Sequence, residues 1–327
     1  MTGDPFSWRS GGKRFDIGDD SEGGIHAMIP LDGDLLCVTT KSVFAIRLAD
    51  SIDPKRTDPN TLDMKQKVFD HGSATEFVGR TLLQANTLFT DQALGSKFDN
   101  KKGKKIGFDF MKEISAIRMT ADDLVQEIEK KNSAFEGRPA ADGSLHLPSV
   151  NRLEQRVKQF IISVDHAKRH QMEVVQLFYP DIENKYWWER LEEKLKPAIE
   201  IKRVDGEFVR NFTAWTWQMR NLRNAIEHPS KDDKVNILDY RLTTGLRVCV
   251  PTIEYRNEKT PLQEMPISEF ILITIENLLV SFEFLIAYLC NVHVLKFAGH
   301  DRFVVEIPVV NRKAHEAHVR FDYQIVW

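Results

Sequence analysis

Residues 206–229 read GEFVRNFTAWTWQMRNLRNAIEHP, and their pattern decides the fold class. Phe208, Phe212, Trp215 and Leu222 recur at helical spacing, which gives the stretch one apolar face. Pro229 disfavours α conformation at the residue before it, so the spacing predicts a helix over 206–228. Such a face needs a partner surface. The most apolar stretch of the chain, residues 270–290, reads FILITIENLLVSFEFLIAYLC. It is long enough to span a bilayer. It also carries Glu276, Asn277 and Glu283, and a carboxylate at the bilayer centre costs at least ~2.5 kcal/mol. The reading is a central helix over 267–291, apolar nearly all round, inside a soluble bundle and packed against 206–228. No membrane association is expected.

Outward from this pair, helical periodicity starts near Asp63 and predicts helices at about 75–90, 108–135, 149–178 and 184–196. Ser149 is placed to cap the third, Pro180 marks its end, and Pro197 should end or kink the fourth. Between the first two, FDNKKGKKIG (98–107) reads as a charged loop. Strand patterns flank and interrupt the helices. They fall at 25–30, 35–39 and 43–48, with the turn Asp32-Gly33-Asp34, at 235–238, 246–250 and 252–255, with a hairpin turn at 243–245, and at 293–297, 303–310 and 318–327. The predicted class is α+β. A mobile arm (1–23) and a small β-region with its connector (24–62) precede a helical bundle (63–291) with an inserted hairpin (235–256). A C-terminal β-region (292–327) follows, able to pair with 24–48.

Composition narrows the function. With 42% apolar residues in 327, the chain can build a full core, and a net charge of −3 provides no global basic field. Any RNA contact must therefore be local. Three widely spaced cysteines fit neither a disulfide framework nor a zinc ribbon, and residues 1–25 lack an apolar signal region. A reducing cytoplasm is expected. Gly-rich phosphate loops, nucleophile elbows and kinase signatures are absent from the sequence, which argues against nucleotide and serine hydrolases.

The chemistry concentrates at the end of the 206–228 helix. Arg220, Asn224 and His228 are spaced i, i+4, i+8 and should share one face, with Arg223 adjacent. An imidazole can take the proton of a ribose 2′-OH or protonate a leaving oxygen. A guanidinium matches the charge that builds on the phosphate oxygens. An amide can orient either group. This chemistry needs no metal or other cofactor, and DNA lacks the 2′-OH it uses. A plainer reading stands beside it. Arg223 and Glu227 are i, i+4 and can form a surface ion pair, and His228 suits the helix dipole.

The stretch Arg223-Asn224-Ala225-Ile226-Glu227-His228 has the form RNxxxH and resembles the active-site motif of the HEPN family of helical ribonucleases. The resemblance covers residues 63–291. It implies a helical bundle, a homodimer with both motifs facing one cleft, and metal-independent RNA cleavage. Arg223 and His228 would be catalytic, with Asn224 in support. By family analogy the protein would be a toxin or an antiviral defence effector. The His-x-Tyr extension of some HEPN toxins is missing, because Pro229 and Ser230 follow His228. Arg220 and the basic run Lys101, Lys102, Lys104 and Lys105 are candidate substrate contacts. The alternative is a non-catalytic HEPN-like module that binds RNA, a nucleotide or a protein partner. Other groups read as structural. His166 and His170 have zinc-compatible spacing without a third ligand, and His315 and His318 suit a solvated face. Tyr186, Trp187 and Trp188 either stack bases or cover a core.

Overall fold

The structure, a computed structural model, describes residues 6–9, 17, 20–183, 185–230, 233–245 and 247–326. In chain order the elements begin with strands β1 (Ile25–Leu31), β2 (Asp34–Thr39) and β3 (Val43–Arg47), helix α1 (Ala49–Ile52) and strand β4 (Met64–Phe69). A continuous helical run follows, made of α2 (Glu76–Val78), a π-helical turn (Gly79–Leu83) and α3 (Gln84–Leu88). Then come α4 (Asp91–Leu94), α5 (Asn100–Ala134), α6 (Leu153–Phe178), α7 (Trp187–Glu200) and α8 (Gly206–Glu227). Strands β5 (Lys234–Leu238), β6 (Arg241–Thr243), β7 (Arg247–Cys249), β8 (Thr252–Arg256) and β9 (Leu262–Pro266) precede α9 (Ile267–His293), and β10 (Asp301–Glu306) and β11 (Phe321–Val326) close the chain. The class is α+β with helices dominant. The chain divides into two compact units, one running up to Met111 and resuming at His293, the other Lys112–Val292.

In the first unit β1 to β4 form an antiparallel meander. Asp32 and Gly33 both have positive φ (50° and 85°), the two-residue turn that matches strand twist and pairs Leu31 with Asp34. One face buries Cys37, Phe44 and Ile46. The edge strand β4, MKQKVF, is almost wholly exposed, so no apolar alternation marks it, and residues 64–69 are a strand where helical periodicity was expected. Lys67 there pairs with Glu22 at 2.7 Å. Part of the expected mobile arm is docked. The Arg9 side chain is fully buried, and it donates to the Asp58 carbonyl at 2.5 Å and to Asp53 at 3.4 Å. The rest of that arm, residues 1–5, 10–16, 18 and 19, lies outside the described residues.

The C-terminal strands β10 and β11 pair only with each other, so the expected pairing of 292–327 with 24–48 is not formed among the described residues. The hairpin is tied to α3 instead. The buried Gln84 amide donates to the Phe321 carbonyl at 2.8 Å and accepts from the Arg320 and Phe321 N–H groups, both at 2.9 Å. Residues 293–297 are not a strand: His293 ends α9, and only Phe297 bridges to His300. Residues 98–107 are not a loop. The Asp99 carboxylate accepts from the Lys102 N–H at 2.9 Å, and α5 runs from Asn100. Its Gly103 and Gly107 face Phe89 and Ala85 so closely that a Cβ would lie 2.5 and 2.4 Å away.

In the second unit the C-terminal half of α9 is largely buried, while its N-terminal half buries one side and leaves Leu272, Ile273, Glu276 and Asn277 exposed, so it is less enclosed than the apolar sequence implied. By length and composition it is apolar enough to cross a membrane, but two-thirds of its most apolar window lies inside the protein (67%). Gln171 of α6 donates to the Ser281 hydroxyl at 2.6 Å, Phe160 meets Phe270 edge-on, and Phe208 of α8 stacks on Phe284 at 5.2 Å. The expected packing of 206–228 on 267–291 is thus present. Two helix ends differ from the sequence reading. α6 starts at Leu153 behind Arg152, which is left-handed (φ 51°) and gives no side-chain cap, so Ser149 is not the cap. α7 continues past Pro197 to Glu200, because its buried stripe Trp188, Leu191, Leu195 and Ala198 spans the proline and packing offsets the lost hydrogen bond.

A cationic cleft on three helices

α8 starts where the Asp205 carboxylate accepts from the Glu207 N–H at 2.9 Å. It ends at His228, whose N–H still reaches the Asn224 carbonyl at 2.7 Å while its own dihedrals (φ −132°, ψ 65°) leave the helix. Against α6 and α7, α8 borders a cleft of about 250 Å³. α8 supplies Arg220, Arg223 and Asn224, α7 supplies Trp187 and Trp188, and α6 supplies Asp165, Lys168, Arg169 and Met172. Four cations thus face one carboxylate in a chain whose net charge is −3.

Each cation is held differently. Lys168 is buried, donates to the Thr216 carbonyl at 3.1 Å and to Asp165 at 3.3 Å, and sits about 6 Å over the rings of Trp188 and Trp215. Burial pulls its pKa down to about 8; Asp165 works against that shift and Arg220 adds to it. At pH 7 it is still mostly an ammonium. Arg220 lies over Tyr186 at 5.7 Å and Trp188 at 5.5 Å and has no carboxylate partner among the described residues. Arg169 is exposed and likewise without an ion pair among the described residues. Arg223 is the most neutralised, with Glu227 at 2.7 Å, Asp165 at 3.9 Å and the Asn224 side-chain oxygen at 3.3 Å. Two buried donors lack hydrogen-bond partners, Arg223 Nε and the indole N–H of Trp188. A buried donor left unpaired is costly, and an anion in the cleft would relieve it.

The sequence placed Arg220, Arg223 and Asn224 together, and they do converge. His228 does not join them. It is exposed and outside the cleft lining, because the row of side chains spaced four apart ends where the backbone leaves the helix before Pro229. The ion pair of Arg223 with Glu227, the plainer reading, is formed. Lys101, Lys102, Lys104 and Lys105 occupy the first turns of α5 in the other unit. There Lys105 pairs with Asp32 at 2.7 Å, partial burial lowers the Lys104 pKa, and Lys101 and Lys102 are exposed. Sequence reasoning missed Lys168, Arg169 and Asp165. The signal was the run Asp165-His166-Ala167-Lys168-Arg169-His170, in which two adjacent cations sit between histidines of zinc-compatible spacing. Those histidines hold no metal geometry: His166 is exposed and His170 pairs with Glu173 at 3.0 Å. Among the described residues no group of three or more His, Cys, Asp or Glu side chains is arranged to hold a metal ion. None of the three cysteines is in a disulfide, and Cys37 and Cys290 are buried.

Fold and cleft together define an α+β protein whose helical unit carries a pocket with the charge and unpaired donors that suit an anion. Comparison with family models, with curated proteins and with solved structures finds no match for this chain.

Proposed function

We propose that the helical unit binds RNA through the cleft on α6, α7 and α8 and cleaves it without a metal, as the HEPN-type ribonucleases do. The observation that carries this reading is the collection of Lys168, Arg169, Arg220 and Arg223 in one aromatic-walled cleft of an otherwise acidic chain. Arg220 and Arg169 supply unneutralised donors for phosphate oxygens. Arg223 and Asn224 orient the phosphodiester, and His228, one turn further along, exchanges the proton of the attacking 2′-OH. The unit would be a HEPN-like bundle. One motif supplies few groups, so a homodimer with two facing motifs is part of the proposal. The setting that family analogy suggests is a cytoplasmic toxin or antiviral defence effector.

A second reading is favoured by one observation: His228 stands outside the cleft lining. On that reading the unit binds RNA and does not cut it. The deciding assay is RNA cleavage in EDTA by the wild type beside His228→Ala and Arg223→Lys. The exposed His228→Ala change should shift stability by no more than about 0.5 kcal/mol. Loss of a proton-transfer group lowers the rate by a factor of ~10²–10⁴. Products should end in 2′,3′-cyclic or 3′-phosphate. Cleavage that survives His228→Ala, or that needs magnesium, refutes the catalytic reading. Tight binding without cleavage selects the second, and an absence of RNA binding removes both.

A further inference from the structure

Asn224 also lines a second, larger groove of about 760 Å³, and the chemistry there is different. Its lining includes the aromatic rings of Tyr186 and Trp217, the side-chain amides of Asn221 and Asn257, and the carboxylates of Asp233 and Glu258, which suit the uncharged base and not a phosphate. We propose that this groove takes an unpaired nucleobase of the strand whose phosphate occupies the cationic cleft; the inference rests on the RNA-binding reading above.

Three observations support it. The first is a stacking platform. Tyr186 and Trp217 lie 5.3 Å apart with ring planes 32° from parallel, and Tyr186 is 36% exposed. The Tyr186 backbone is left-handed (φ 55°), an unusual conformation for a residue with a bulky side chain, and the chain holds it there at the start of α7. The second is a wall fixed in advance. The Asn221 amide donates to the Thr260 hydroxyl, and the Gln218 amide to the Pro261 carbonyl, each at 3.0 Å, which pins the loop after β8 to α8. Asn257 organises that loop by accepting from the Lys259 and Thr260 N–H groups at 2.9 and 2.7 Å. With those bonds made, the Asn221 side-chain oxygen and the Asn224 side-chain N–H groups have no partner among the described residues. They offer an acceptor and a donor in one groove, the complement of a Watson–Crick edge. The third is continuity with the phosphate site. Asn224 belongs to both cavities, and Arg220 of the cleft lies over the Tyr186 ring of the groove. A base offers its face and its edge to such a groove only when it is unpaired, so the ligand class is single-stranded RNA.

The experiment measures equilibrium binding by fluorescence anisotropy. The probes are a labelled single-stranded RNA, the same strand annealed to its complement, and an inorganic polyphosphate as unlabelled competitor. The proteins are the wild type, Tyr186→Ala, Tyr186→Phe and Arg169→Ala, each checked for folding by circular dichroism. The wild type should prefer the single strand over the duplex. Tyr186→Ala should weaken single-strand binding by about five- to 150-fold, the range of one base–aromatic stack, and weaken polyphosphate competition much less, because Arg220 keeps its contact with Trp188. Tyr186→Phe should keep the ring and the affinity, and Arg169→Ala should weaken every probe. Equal wild-type affinity for duplex and single strand overturns the base groove without using any variant. So does full single-strand affinity in a folded Tyr186→Ala protein; both results leave the cationic cleft standing. If the wild type binds neither RNA, the RNA-binding reading fails and the groove with it.

Discussion

Lys168→Met is the sharpest test of the physical account of the cleft. The Lys168 ammonium is buried among Trp188, Trp215 and Asp165, and its pKa falls from the ordinary 10.5 to about 8. At about 1.36 kcal/mol per pKa unit, keeping it charged at pH 7 costs the fold roughly 3 kcal/mol. Methionine has a similar length, no charge and a flexible thioether that packs well on indole rings. The Thr216 carbonyl loses one donor, and Asp165 keeps Arg223 at 3.9 Å. Allowing about 1 kcal/mol for those losses, Lys168→Met should stabilise the protein by ~1–3 kcal/mol at pH 7. The pH dependence gives the sign. A depressed lysine pKa means that the unfolded chain binds the extra proton between about pH 8 and 10.5, so wild-type stability rises through that window. The advantage of the methionine variant is therefore full below pH 8 and fades towards pH 10.5. Urea unfolding followed by tryptophan fluorescence suits the test, because Trp187, Trp188, Trp215 and Trp217 all lie in the helical unit. A variant less stable than wild type by about 1 kcal/mol or more at pH 7, or a difference that does not change with pH, would refute the reasoning.

Three further outcomes are expected. Anion affinity should fall as pH rises through about 8, because the protonated Lys168 contributes charge to the cleft, and RNA-binding titrations at pH 7 and above 9 read this directly. Gly107→Ala should destabilise the first unit by ~1–2 kcal/mol in thermal unfolding. Its Cβ would meet that of Ala85 at 2.4 Å, and overpacking of ~1–3 kcal/mol outweighs a helix-propensity gain of under ~1 kcal/mol. Gln84→Leu should free the C-terminal hairpin to proteases and cost about 2 kcal/mol or more. It removes the side-chain amide that makes three hydrogen bonds to the backbone of Arg320 and Phe321, two of them buried.

Much of the helical unit was legible because its signals are local. The α8 face, the proline after His228 and the apolar run of α9 act within a few turns of chain, and these two helices fall where the periodicity put them. The Asp32-Gly33 turn was legible for the same reason, since two positive φ values need such residues. Other features were hidden in the sequence. Strand β4 is exposed on both faces and leaves no apolar alternation to read. The basic run 101–105 looks like a loop until Asp99 is seen to cap it and two glycines are seen to let α5 approach Phe89 and Ala85.

The sequence by itself determined the α+β class, the helical span of α8 and the presence of Arg220, Arg223 and Asn224 on it, because a helix converts spacing directly into a shared face. Only the tertiary structure decided what stands opposite that face. Lys168, Arg169 and Asp165 come from a helix some fifty residues earlier, and no spacing within either helix marks α6 as the one that stands opposite them. The same limit applies at His228: helical spacing extrapolates a face past the point where the backbone turns away, so the imidazole expected in the cleft stands outside it.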